Sequence, residues 1–185
     1  MNLYKVIFLD IDGVMNSAQY DCWRRKNHIK KYGSIDPREC HRMANFCEKY
    51  NVKLVISSTW RNGNSWKETY EEFIREGIED LPYRHYGMKY LAPYIIGTTP
   101  YSKSRHRGTE IQLFIDIMND HINNVGEYKD YWKIHKEPFI IENYCIVDDD
   151  NDILKTQLNN FVQTDFLTGL TRKNYINIKK ILNLL

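Results

Sequence analysis

Asp10 and Asp12 stand two positions apart where an apolar run ends, and Gly13 follows directly. Carboxylates packed together at the end of a covered strand repel. A hard cation such as Mg²⁺ relieves that repulsion and leaves coordination positions open for phosphate oxygens. A second acidic cluster, Asp148-Asp149-Asp150, follows another apolar run, and Asp148 and Asp149 can complete the oxygen set. Between the two clusters lie groups that suit an anion. Ser57 brings a hydroxyl, the turn beginning at Ser58 brings backbone N–H groups, and Arg61 adds a planar fork of donors. Arg107, with Lys103 and Arg105 as rivals, supplies a cation able to offset charge on a transferring phosphoryl group.

Taken singly, each segment has a plainer reading. Asp-x-Asp-Gly makes a turn with solvated acids, Ser-Ser-Thr is ordinary turn chemistry, the triple aspartate is a polar loop with a helix cap, and Lys103 to Arg107 is a solvated basic loop. Their conjunction favours metal-assisted chemistry on a phosphate, because all of them fall just past the carboxyl ends of expected parallel strands. Open α/β sheets place their ligands there.

Those strands are read from short apolar runs that alternate with stretches at helical spacing, the pattern of a parallel sheet with crossover helices. Val6–Leu9 is continuous rather than alternating, as in a central strand covered on both faces. A helix is expected from Pro37, with Asp36 as its cap, Glu39 completing a capping box, and Cys40, Met43, Ala44 and Cys47 as its buried stripe. Val52–Ile56 forms the second strand and runs straight into Ser57. Trp66, Tyr70, Phe73 and Ile74 have helix spacing up to Gly77, and Tyr94–Ile96 suggests a third strand. From Gly108 a helix places Ile111, Phe114, Ile115 and Met118 on one face. Tyr144–Val147 and Phe161–Thr164 give the fourth and fifth strands, before a last helix using Ile178, Ile181, Leu182 and Leu185.

The expected fold is therefore an α/β, Rossmann-like three-layer sandwich of one domain over residues 1–185, with small insertions around 17–33 and 119–138. Charge is nearly balanced, with 26 Lys+Arg against 24 Asp+Glu, so a basic surface must come from arrangement rather than excess. No apolar stretch approaches the roughly 20 residues that cross a bilayer. The four cysteines form no C-x-x-C pair, and ordinary reduced thiols are favoured over zinc held by Cys22, Cys40 and His41. With no signal-peptide pattern at the start, a cytoplasmic protein is expected.

Four segments in order resemble the motifs of the haloacid dehalogenase (HAD) superfamily. They are Phe8-Leu9-Asp10-Ile11-Asp12-Gly13-Val14, Val55-Ile56-Ser57-Ser58, a basic residue opening a helix, and Ile146-Val147-Asp148-Asp149. Ser57-Ser58-Thr59-Trp60-Arg61, Gly97-Thr98-Thr99-Pro100, Arg107-Gly108-Thr109-Glu110-Ile111 and Gly169-Leu170-Thr171 further resemble a small-cap branch associated with RNA-repair proteins. The sequence departs from the superfamily in having Arg107 where Lys is usual, and the segment 119–138 has no counterpart.

The resemblance implies an Mg²⁺-dependent phosphatase in which Asp10 is the nucleophile and Asp12 the acid and base. It further implies that Asp10 and Asp148 bind the metal through carboxylates, Asp12 through its backbone carbonyl, and Asp149 directly or through water. Ser57 and Arg107 then hold phosphoryl oxygens. A minimal cap in this superfamily admits the ends of large molecules, so a 3′-phosphorylated RNA or DNA end is the expected substrate, with a free nucleotide or sugar phosphate as the alternative. The stretch 17–33 interleaves Arg24, Arg25, Lys26, Lys30 and Lys31 with Tyr20, Trp23, His28 and Tyr32, and could meet a nucleic-acid backbone or serve as a solvated face. A phospho-accepting receiver fits less well, because it does not need Asp-x-Asp-Gly at its first strand. An inactive nucleic-acid-binding module would not need every catalytic position to carry a competent residue.

Overall fold

The computed structural model describes residues 2–29, 35–61, 88–119 and 139–184, without the side chains of residues 61, 88 and 89. The expected helix over 66–77, the segment 120–138 and the basic end of the 17–33 stretch (residues 30–33) lie outside the described residues, as does the side chain of Arg61. Among the described residues, five parallel strands form one sheet in the order β3-β2-β1-β4-β5. They are β1 (Asn2–Leu9), β2 (Val52–Ile56), β3 (Ile95–Thr98), β4 (Phe139–Asp148) and β5 (Phe161–Gln163). The helices are α1 (Ala18–Lys26), α2 (Pro37–Tyr50), the short α3 (Met88–Leu91), α4 (Arg107–Asn119) and α5 (Arg172–Ile181).

The continuous apolar runs are explained by helices on both faces of the sheet. Along β1, Ile7 and Leu9 join a core with Cys40, Met43 and Cys47 of α2 and Tyr175 and Ile178 of α5. Val6 and Phe8 enter a second core with Ile111, Phe114 and Met118 of α4. Period-two alternation thus feeds two apolar layers rather than one. This is the three-layer α/β sandwich.

Local expectations hold in most places and fail where another partner competes. Asp36 does cap α2 with Pro37 at its first position, its side chain accepting from the Arg38 N–H. The capping box with Glu39 does not form: the Asp36 N–H donates to the Met15 carbonyl at 3.0 Å, and Glu39 turns inward to accept from the Tyr175 hydroxyl at 2.7 Å. β4 begins well before Tyr144, because its outer half pairs with the outer half of β1 although Glu142 and Asn143 interrupt its apolar run. Residues 18–26, left without an element by the sequence, form α1, whose one buried side chain is Tyr20.

Candidate active site

Sheet hydrogen bonding continues past the strand ends and fixes the site row by row. The Asp10 N–H donates to Val147 O (3.0 Å), the Ser57 N–H to Leu9 O (2.8 Å), the Thr99 N–H to Ile56 O (3.0 Å) and the Thr164 N–H to Asp148 O (2.9 Å). Thr99, Ser57, Asp10, Asp148 and Thr164 therefore stand side by side across the carboxyl edge, at the point where the connections leave β1 in opposite directions.

One oxygen from each of Asp10, Asp148 and Asp149 falls within 4.8 Å of the others. Asp10 and Asp148 are 4% and 3% exposed. Burial, opposed by the Arg107 guanidinium, pushes Asp10 up to about 6. Burial, with the neighbouring Asp10 charge adding to it, pushes Asp148 up to about 7. Asp149 is raised too, burial being the main cause. Among the described residues, three carboxylates against one guanidinium leave two negative charges when ionised, which a divalent cation would cancel. An all-oxygen donor set of this kind fits Mg²⁺.

Gly13 makes the cluster possible. Its φ of 66° favours glycine, and a Cβ there would overlap the Asp149 carboxyl group. The loop is held from the far side, where the Thr164 hydroxyl donates to the Gly13 carbonyl at 2.9 Å.

Arg107 opens α4 and is the basic residue of its loop that reaches the acids. Its Nη1 lies 3.2 Å from Asp10 Oδ1, 3.4 Å from Ser57 Oγ and 3.7 Å from Asp148 Oδ2. Lys103 and Arg105, the rival cations, are exposed, although Arg105 lines the cleft that opens over Arg107. The Arg107 position is set by a residue that sequence reasoning passed over. Asp152 accepts from the Arg107 N–H through its carboxylate (3.1 Å) and from the Gly108 N–H through its carbonyl (3.0 Å), and its other carboxylate oxygen lies 2.9 Å from His106 Nε2. Buried Gln157 donates to the Gly108 carbonyl at 2.9 Å, joining the acidic loop to the start of α4. Ser58 is fully buried and its side chain hydrogen-bonds the Asp10 carboxylate, which helps to fix that carboxylate in place.

Asp12 stands apart from the carboxylate cluster. Its Oδ2 accepts from Trp60 Nε1 and its Oδ1 from Asn16 Nδ2, each at 2.7 Å. A carboxylate held by two neutral donors beside a cleft suits proton transfer better than metal ligation through its side chain. Trp60 and Asn16 were not expected in the site; the only sequence signal was that Trp60 sits inside the polar segment after β2.

Two clefts meet the acids. The first, about 300 Å³, is lined by Arg107, Asp148, Asp150, Asp152 and Tyr101 among others. The second, about 470 Å³, is lined by Asp12, Asn16, Trp60 and Phe166 together with Asp21, Arg24 and Arg25 of α1. Cys22 is exposed and Cys40 buried, and no metal-binding group among the described residues includes them. No helix among the described residues is long and apolar enough to cross a membrane.

No curated protein and no solved structure matches the chain. A family model does match, over residues 6–175, which take in every strand carrying a site residue. By that match the chain belongs to the HAD domain in Swiss Army Knife RNA repair proteins.

Proposed function

We propose that this domain is a Mg²⁺-dependent phosphomonoester hydrolase that works through an aspartyl-phosphate on Asp10 and acts on a phosphorylated polynucleotide end, a 3′-phosphate in particular. The observation that carries the reading is the buried Asp10 carboxylate, set between Arg107 at 3.2 Å and the acids of β4. Family membership in RNA-repair proteins and the basic last turn of α1 (Arg24, Arg25, Lys26) favour a nucleic-acid end as substrate.

In the first displacement an Asp10 oxygen forms a bond to phosphorus while the bond to the leaving oxygen breaks, and Asp12 donates a proton to that oxygen. In the second, Asp12 takes a proton from water, the water oxygen bonds to phosphorus, and the bond to Asp10 breaks to release inorganic phosphate. Asp10, Asp148, Asp149 and the Asp12 carbonyl would hold Mg²⁺, which when bound would offset the repulsion between carboxylate and phosphate. Arg107 and Ser57 hold the equatorial oxygens, with Ser58 orienting Asp10. Arg61 is a further phosphate ligand in this reading. A cytoplasmic setting with RNA or DNA ends as partners follows from it.

Phosphate release is measured from 3′- and 5′-phosphorylated RNA and DNA, free nucleotides and an aryl phosphate, with and without Mg²⁺. The expected result is release from oligonucleotide 3′ ends that needs Mg²⁺ and that Asp10→Asn reduces by about 10³-fold or more. Turnover of small substrates alone would overturn the polynucleotide reading. Absence of metal-dependent release from every substrate would overturn the enzyme reading.

A further inference from the structure

We propose that the second cleft is the subsite for the nucleoside that carries the phosphate, with its base stacked on Phe166. The proposal rests on the phosphatase reading in one respect, the role of Asp12. The group that protonates the leaving oxygen marks where the leaving group goes, and Asp12 lines this cleft, whereas the first cleft is lined by Arg107 and Asp148. At about 470 Å³ the second cleft falls within the roughly 300–1,000 Å³ of small-molecule sites.

Its walls are built for an aromatic ring with a charged neighbour. Phe166 is 56% exposed, yet it sits on a fixed turn. The Leu167 N–H donates to Asp165 Oδ1 and the Gly169 N–H to the Asp165 carbonyl, both at 2.7 Å. The carbonyls of Phe166 and Leu167 in turn accept from the Ala18 and Gln19 N–H groups at 3.1 and 3.0 Å, which ties the turn to the start of α1. The turn thus fixes the backbone from which the phenyl ring projects at the cleft, which lowers the ordering cost of a stacking contact. Trp60, held to Asp12 through its indole N–H, supplies the wall nearest the acids. On the α1 wall Arg24 and Arg25 both pair with Asp21, at 2.5 and 2.6 Å, so two cations share one anion there, while Asp12 on the opposite element balances the formal charge of the cleft.

The other aromatics of this region are committed elsewhere. Tyr20 is 4% exposed, and Trp23, 43% exposed with the Arg38 guanidinium 4.9 Å from its ring, does not line the cleft. Among the described residues, Phe166 and Trp60 are the aromatics that do.

Binding is measured by calorimetry in the Asp10→Asn protein, where the proposed nucleophile is absent and turnover does not intervene. One arm compares adenosine 5′-monophosphate with ribose 5-phosphate. The other compares a short RNA ending in a 3′-phosphate with the same RNA whose last residue is abasic. The base is expected to raise affinity about tenfold in at least one arm, and which arm responds tells a free nucleotide from a chain end. Adding Phe166→Ala should erase that ratio, and Phe166→Tyr should preserve it. A ratio near one in both arms, or a ratio that survives Phe166→Ala, would overturn the subsite. Failure of the phosphatase reading shows separately, as missing phosphate release in the unsubstituted protein.

Discussion

Around the cleft over Arg107 the protein gathers formal charge: Asp148, Asp150 and Asp152 face Arg105 and Arg107. Beside Asp12 it gathers the neutral donors Trp60 and Asn16 and the aromatic surface of Phe166, and the charges of that cleft's α1 wall, Asp21, Arg24 and Arg25, are paired with one another. The contrast separates two tasks that a phosphoryl transfer must perform. A dianionic phosphate needs cations whatever it is attached to, whereas the departing alcohol needs a proton and a surface of its own kind. On the proposed function, one side would serve every substrate alike, and the other is where substrates would be told apart.

That division is broken most directly at Asp12. Asp12→Asn should lower kcat/KM, which reports the first displacement, by about 10³-fold for a ribose phosphate and far less for an aryl phosphate, whose leaving oxygen needs little help, while kcat falls on both because the second displacement is shared. Equal losses of kcat/KM on the two substrates would remove the division of tasks. Arg107→Ala should cost about 10²-fold in kcat/KM on both substrates, so the ratio between them stays put. A loss that depends on the leaving group would place Arg107 on the wrong side of the comparison. Gly13→Ala touches the seam, since its Cβ would push on the Asp149 carboxyl. The Mg²⁺ concentration for half-maximal activity should rise roughly tenfold, which a metal titration reads.

The smallest effect belongs to a buried acid that has no part in either cleft. Glu39 is raised from 4.5, mainly by burial, against the opposing hydrogen bond from Tyr175 and the Arg42 charge. A carboxyl raised on folding contributes stability below its unfolded value and loses it as pH rises through the folded value. Glu39→Gln should therefore abolish that decline, with Tm at pH 8 moving up by about 2 °C relative to the shift seen at pH 4. Melting curves at the two pH values test it, and an identical shift at both would mean that Glu39 ionises as it does in the unfolded chain.

Much of this arrangement was legible in the sequence because it rests on short-range signals. Val6–Leu9 and Val52–Ile56 are uninterrupted apolar runs, and Asp36-Pro37 marks the start of α2 as cap and first residue. Asp10, Ser57 and Asp148 could be placed together because each directly follows such a run. The partners of Asp12 and Arg107 could not. Trp60 reaches Asp12 across 48 positions of chain, and Asp152 reaches Arg107 across 45. Nothing in a local window distinguishes either residue from a solvated one. α1 escaped notice for a related reason: with Tyr20 as its one buried side chain it carries almost no apolar stripe, and it is held in part by the carbonyls of Phe166 and Leu167, far along the chain.

The pairing of β1 with β4 also has a consequence for biosynthesis. Asn2–Leu9 is synthesised more than a hundred residues ahead of its neighbour Phe139–Val147. β2 can dock first and bring Ser57 beside Asp10, but Asp148 and Asp149 arrive only after β4 has been made. Such a distant strand partner is slow to find, and until it is found one side of β1 is an open edge able to pair with another chain. A nascent or truncated form would thus hold Asp10 without Asp148 and Asp149 and with an unprotected strand, making aggregation the expected fate of incomplete synthesis.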